Sequence, residues 1–247
     1  LALALALAAL PVLPAGCEHD PERITVAGAA SARRVLPELA AAFEREHGGD
    51  VALLLGGSGA LVDRIEAGTR VDVVLIGDAA GLDRLAGEGR LEREGRAAVA
   101  GNRLVLVARA ARPPAVTFSR LAALPSDQAI AIGNPDHSAA GLDARRLLER
   151  LDLWDELRPR LLLRGDVAAA LAAVRRGQAG VAIVYQTDAA AAGDLTVLDR
   201  AGPPPAPRLW VALTPAGARR QRARAFARFL TSPAARAILE RHRFDPP

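Results

Sequence analysis

The chain of 247 residues has no lysine, no methionine, one cysteine, one tyrosine, two tryptophans and four histidines. A lone Cys17 cannot close an internal disulfide, and no C-x-x-C pair is present to hold zinc. His19, His47, His137 and His242 are far apart, with no H-x-x-x-H spacing, so no resident metal or other cofactor is expected. Aromatic residues make up only 3% of the chain, which leaves few platforms for stacking bases. Every basic residue is arginine, placed singly or in pairs such as Arg33-Arg34 and Arg175-Arg176 inside helical patterns. The net charge of +4 therefore reads as solvated helix faces and compositional bias, and no nucleic-acid partner is expected.

What is present is apolar and regular. Hydrophobic residues reach 51% and charged residues 24%, enough for a substantial core and too apolar for disorder. Residues 1–17, LALALALAALPVLPAGC, form an apolar run shorter than the ~20 residues of a spanning helix. The run matches the hydrophobic region and small-residue cleavage zone of an export signal. Ala15-Gly16-Cys17 resembles a lipobox, although Pro14 stands where an aliphatic residue is usual. Export to the periplasm or cell surface is expected, with Cys17 as the lipidation site.

From Ile24 onward, short apolar runs alternate with helical stretches. Strands are expected at 24–28, 51–55, 72–76, 103–108, 129–133, 161–164, 181–185 and 209–213. Most are continuous Val/Ile/Leu/Ala runs, as in parallel strands buried on both faces. Between them, Val35, Leu39 and Phe43 recur at i, i+4 and i+8, and Leu61 pairs with Ile65, each forming one buried stripe. This alternation predicts an α/β fold with mostly parallel sheets flanked by helices. Pro-rich breaks at 110–116 and 201–208 suggest two hinge crossings. The lobes are then 24–102 plus 206–247, and 103–205.

Four strand-to-helix junctions are built alike: Gly28-Ala29-Ala30-Ser31, Gly56-Gly57-Ser58-Gly59, Ser138-Ala139-Ala140-Gly141 and Gly165-Asp166-Val167. In open α/β sheets ligands lie beyond the carboxyl ends of strands, where helix N-termini present unpaired N–H groups and partial positive charge. Several such ends converging would bind an anion without a cationic side chain. The loops offer donors and almost no acceptors, and Asp166 is spaced to cap its own helix. Hydrogen phosphate carries a proton and needs an acceptor. A donor-only cage suits a fully deprotonated tetrahedral dianion such as sulfate, molybdate or tungstate.

The landmarks AAS at 29–31, IEAG at 65–68 followed by Asp72, GNPDHSAAG at 133–141 and DVAAALAAVRRGQAGVAIVY at 166–185 stand in one order. With SPAARAILERHRF at 232–244, they make the chain resemble the periplasmic molybdate-binding proteins of ABC transporters across residues 24–245. The resemblance implies a two-lobed type II binding-protein fold, a membrane permease as partner, a monomer, and no catalysis. It also implies that the oxyanion is held by the hydroxyls of Ser31, Ser58 and Tyr185 and by the backbone at Ala140 and Val167. Molybdenum would then enter as molybdate, not through side-chain ligation. Two departures are visible: Ser58 is the only hydroxyl in its junction, and Ser138-Ala139 lacks the proline common in relatives.

Sulfate or another small oxyanion is the alternative ligand. A more distant alternative is a serine hydrolase. Gly56-Gly57-Ser58-Gly59-Ala60 approximates a nucleophile elbow, for which His137 or His242 would have to act as base.

Overall fold

A computed structural model describes residues 23–92, 95–111, 113–136, 138–202 and 208–247. The apolar leader with Cys17, and His137, lie outside the described residues. Strands β1 (Arg23–Ala29), β2 (Asp50–Gly56), β3 (Val73–Ile76), β4 (Ala97–Gly101) and β10 (Arg208–Leu213) form one sheet in the order β2-β1-β3-β10-β4. A second sheet, in the order β7-β6-β8-β5-β9, contains β5 (Leu104–Arg109), β6 (Ile130–Gly133), β7 (Leu161–Arg164), β8 (Val181–Tyr185) and β9 (Leu195–Arg200).

The two sheets repeat one plan. In the first, β10 runs antiparallel to both β3 and β4, against the common direction of the other strands. In the second, β5 does the same between β8 and β9. Each reversed strand is the first that the chain forms after passing from the other sheet. The sheets are thus mostly parallel in direction but mixed in pairing. Burial on both faces holds where it was expected: along β5, Leu104 and Leu106 enter one apolar cluster while Val105 and Val107 enter another.

Two strands, β4 and β9, are missing from the sequence reading, and both are edge strands in equivalent places. Ala97–Gly101 is too rich in Ala and Gly to declare itself, and pairing with β10 makes it a strand. β9 is only half buried along its length.

Helices α1 (Leu36–His47), α2 (Ser58–Glu66) and α3 (Ala79–Gly87) connect the strands of the first sheet. In the second sheet, α4 (Ala139–Arg150), α5 (Trp154–Leu157), α6 (Val167–Arg175) and α7 (Gln186–Ala192) serve the same purpose. α8 (Pro215–Arg219), α9 (Gln221–Leu230) and α10 (Pro233–Arg241) follow β10 and pack back onto the first core. There Phe43 of α1 meets Phe226 of α9 edge-to-face, with ring centroids 5.1 Å apart.

Gly28 is explained by this packing. A Cβ added there would lie 2.3 Å from Leu36 Cδ2, so the small residue lets α1 sit directly on β1. Gly141 likewise lets α4 approach β6, since its Cβ would meet the Gly133 carbonyl oxygen at 2.1 Å.

The chain crosses between sheets at Asn102-Arg103 and again after Arg200. Asn102 Nδ2 donates to Thr187 Oγ1 at 3.1 Å, joining the crossing to α7. A third tie is not covalent. Asp245 exchanges backbone hydrogen bonds with Gly101 of β4, and its carboxylate accepts from Arg103 Nε (3.2 Å) and Gln186 Nε2 (3.0 Å).

Asp72, the residue after IEAG, fastens the C-terminal helices to the first sheet. Its Oδ2 accepts from the Thr25 amide and from Arg220 Nη1, each at 2.8 Å, and both side chains are largely buried. Truncating one partner leaves a buried charge uncompensated. Asp72→Ala is expected to lower unfolding free energy by about 3–5 kcal/mol in chemical denaturation; a change within experimental error would refute this anchoring role.

Candidate functional site

The junctions that follow the carboxyl ends of β1, β2, β6, β7 and β8 open on a shared cleft of about 700 Å³. Ser31, Ser58, Ala140, Val167 and Tyr185 all line it, so residues up to 154 positions apart in the chain face one cavity. The first two come from the first sheet's side and the other three from the second.

Ser58 opens α2 after the N-cap Gly57, with no side chain capping the helix. Its side-chain oxygen is buried and has no hydrogen-bond partner. An unsatisfied buried hydroxyl costs about 1–3 kcal/mol, and native structures rarely keep one without a purpose. Opposite, Ser138 Oγ accepts from the Gly141 amide at 3.3 Å and caps α4. Asp166 Oδ1 accepts from the Ala169 amide at 2.8 Å and caps α6, as its spacing predicted. These caps engage donors deeper in the first turn. The amides of Ala139, Ala140, Val167 and Ala168 occupy helix positions with no carbonyl four residues back in the helix.

Ser31 is placed differently from the expectation of a helix start. β1 runs into a single 3-10 turn, Ala30–Ala32, and α1 begins only at Leu36. Ser31 thus caps no helix; it sits in a tight turn at the cleft wall, where its small neighbours leave room.

Two carboxylates change the picture of a donor-only cage. Asp188, in the first turn of α7, lines the cleft, and burial pushes its carboxyl up to about 6. Arg33 and Arg34 pull it back down, and Asp166 raises it slightly. Asp143 lies one helical turn beyond Ala140 and accepts the Tyr185 hydroxyl hydrogen at 2.6 Å. Arg33, Arg34 and Arg175 also reach the cleft wall, so it is not free of cations either. The carboxylates were legible only as spacings: Asp143 follows Ala140 by three, and Asp188 follows Tyr185 by three. A charged helical residue is ordinarily solvated, so nothing in the sequence singled them out.

A hydrolytic pair does not form among the described residues. Ser58 Oγ has no partner, and His242 Nε2 is held by Glu38 Oε2 at 2.8 Å. No cluster of three or more His, Cys, Asp or Glu capable of holding a metal ion occurs among the described residues.

Two α/β lobes with matching topology, joined by crossings and enclosing a cleft at their strand ends, define a two-lobed solute-binding protein. The chain belongs to the bacterial extracellular solute-binding protein family, which it matches over residues 24–245. It is 33% identical over 183 residues to the molybdate-binding protein ModA of Escherichia coli, covering 72% of this chain and 71% of that one. Identity to the molybdate-binding protein ModA of Haemophilus influenzae is 32% over 174 residues, covering 68% and 67%. The fold superposes on the periplasmic molybdate-binding protein of Azotobacter vinelandii with a TM-score of 0.75 at 24% identity, covering 91% of this chain and 99% of that one.

The raised carboxyl of Asp188 gives a signed expectation. Its neutral form is favoured in the folded protein, so its contribution is full below the ordinary carboxyl value of 3.8 and is lost as pH rises through about 6. Asp188→Asn should therefore be more stable than wild type at pH 8, by about 1–2 kcal/mol after allowing for partial exposure. The two melting temperatures should converge toward pH 4; a difference independent of pH would contradict the assignment.

Proposed function

We propose that the cleft captures molybdate or tungstate and that the protein hands the anion to the permease of an ABC transporter. The observation that carries this reading is the buried, unpartnered hydroxyl of Ser58 at the start of α2. Ser58 and the first turns of α4 and α6 line the same cavity, so hydroxyl and amide donors border one cleft from both lobes. Such a cleft matches a deprotonated tetrahedral oxyanion. In this reading Ser31, Ser58 and Tyr185 supply hydroxyls, and Ala140 and Val167 supply amides. The lobes are residues 24–102 with 206–247, and 103–205, and contacts from both favour the closed form once the anion is bound. The protein turns nothing over, acts as a monomer, and is held at the membrane by a lipid on Cys17.

Sulfate is the competing ligand, because the donor types that suit molybdate also suit sulfate. A panel of sodium molybdate, tungstate, sulfate and phosphate in a thermal-shift assay separates them. Molybdate and tungstate should raise the melting temperature by mass action. A shift with sulfate and none with molybdate or tungstate would overturn the ligand. Ser58→Ala and Ser31→Ala should each weaken molybdate binding by about 1–3 kcal/mol in calorimetry; unchanged affinity would remove that serine from the site.

A further inference from the structure

Tyr185 ends β8 and is 5% exposed, with its ring in the apolar cluster of the second lobe and its edge on the cleft. Its hydroxyl carries one hydrogen, and that hydrogen goes to Asp143 Oδ2 at 2.6 Å. The other carboxylate oxygen of Asp143 faces Arg146 Nη1 at 3.5 Å. Asp143 does not itself line the cleft, so its effect on a ligand passes through the phenol. A phenol that donates to Asp143 shows only lone pairs to the cleft. Those lone pairs repel an anion that has no hydrogen to give.

We propose that Asp143 is a positioning residue of the anion site, holding the Tyr185 hydroxyl hydrogen so that a bound oxyanion must win it from the carboxylate. This rests on the oxyanion reading of the cleft. When the anion binds, the hydroxyl turns about its C–O bond toward the ligand, and Asp143 keeps Arg146 as its partner. The competition lowers affinity for a fully deprotonated anion and leaves the free site able to accept a hydrogen from a protonated one. Burial raises the carboxyl of Asp143 above its ordinary value, against the pull of Tyr185, Arg146 and Arg150. The charge of Asp188 acts on the phenol in the same direction as that of Asp143. Both make release of the hydroxyl to an anion easier when the carboxylates are neutralised.

The test is a double-mutant cycle read by calorimetry with sodium molybdate at neutral pH, using Asp143→Asn, Tyr185→Phe and the double variant. Asparagine can donate its amide hydrogen to the phenol oxygen and frees the hydroxyl for the ligand. Asp143→Asn should tighten molybdate about tenfold when Tyr185 is present, the size of one hydrogen bond to a charged group. On the Tyr185→Phe background the gain should shrink to about twofold, the residue of removing a nearby negative charge. Asp143→Ala, which also leaves the hydroxyl unclaimed, should follow the same pattern and replaces Asn if that variant does not fold. Equal gains on both backgrounds, or no gain, would overturn the role of Asp143 while leaving the oxyanion site standing. Wild-type protein that binds no molybdate, tungstate or sulfate would overturn the site itself, and the proposal with it.

Discussion

The fold is organised around backbone amides that their own helices cannot satisfy. Each helix leaves N–H groups without a partner in its first turn, and three helices, α2, α4 and α6, begin on one cleft. Side-chain caps at Ser138 and Asp166 take one amide each and leave the outermost ones facing the cavity. Ser58 is different: its oxygen is buried without a hydrogen-bond partner. A site of this kind stores unmet hydrogen-bonding capacity, and a small oxyanion is the species that meets it from all sides.

The architecture brings these ends together by repetition. Both sheets place a reversed strand, β10 or β5, in the fourth position and set cleft-facing junctions after their first two strands, β2 and β1 or β7 and β6, with β8 added in the second sheet. The cleft therefore draws on equivalent strand ends in both lobes. Around the hinge, Asn102–Thr187 and the Asp245 contacts bind the crossing, α7 and the C-terminal segment into one unit. Tyr185 and Asp188 flank Thr187, so the hinge and the cleft wall share the start of α7.

Much of this was legible in the amino acids. Eight of the ten strands among the described residues stood out as apolar runs, and the four small-residue junctions lie along one cleft, which Tyr185, named through the family resemblance, also lines. Two kinds of feature were hidden. Edge strands β4 and β9 depend on their ladder partners, which only tertiary structure supplies. Small residues also proved ambiguous: Gly28 and Gly141 serve helix–strand packing, whereas Gly57 leaves α2 without a capping side chain. The acidic groups were missed for a different reason. Asp143 and Asp188 become chemically notable only when burial and the partners Tyr185, Arg33 and Arg34 are known.

In the proposed site the donors of both lobes meet on a single oxyanion beside Ser58. Anomalous diffraction at the molybdenum edge, from crystals grown with sodium molybdate, addresses it directly. One strong peak is expected within hydrogen-bonding reach of the Ser58 hydroxyl and the first turns of α4 and α6. A peak elsewhere on the surface, or a cleft without molybdenum while the anion is bound in solution, would contradict it.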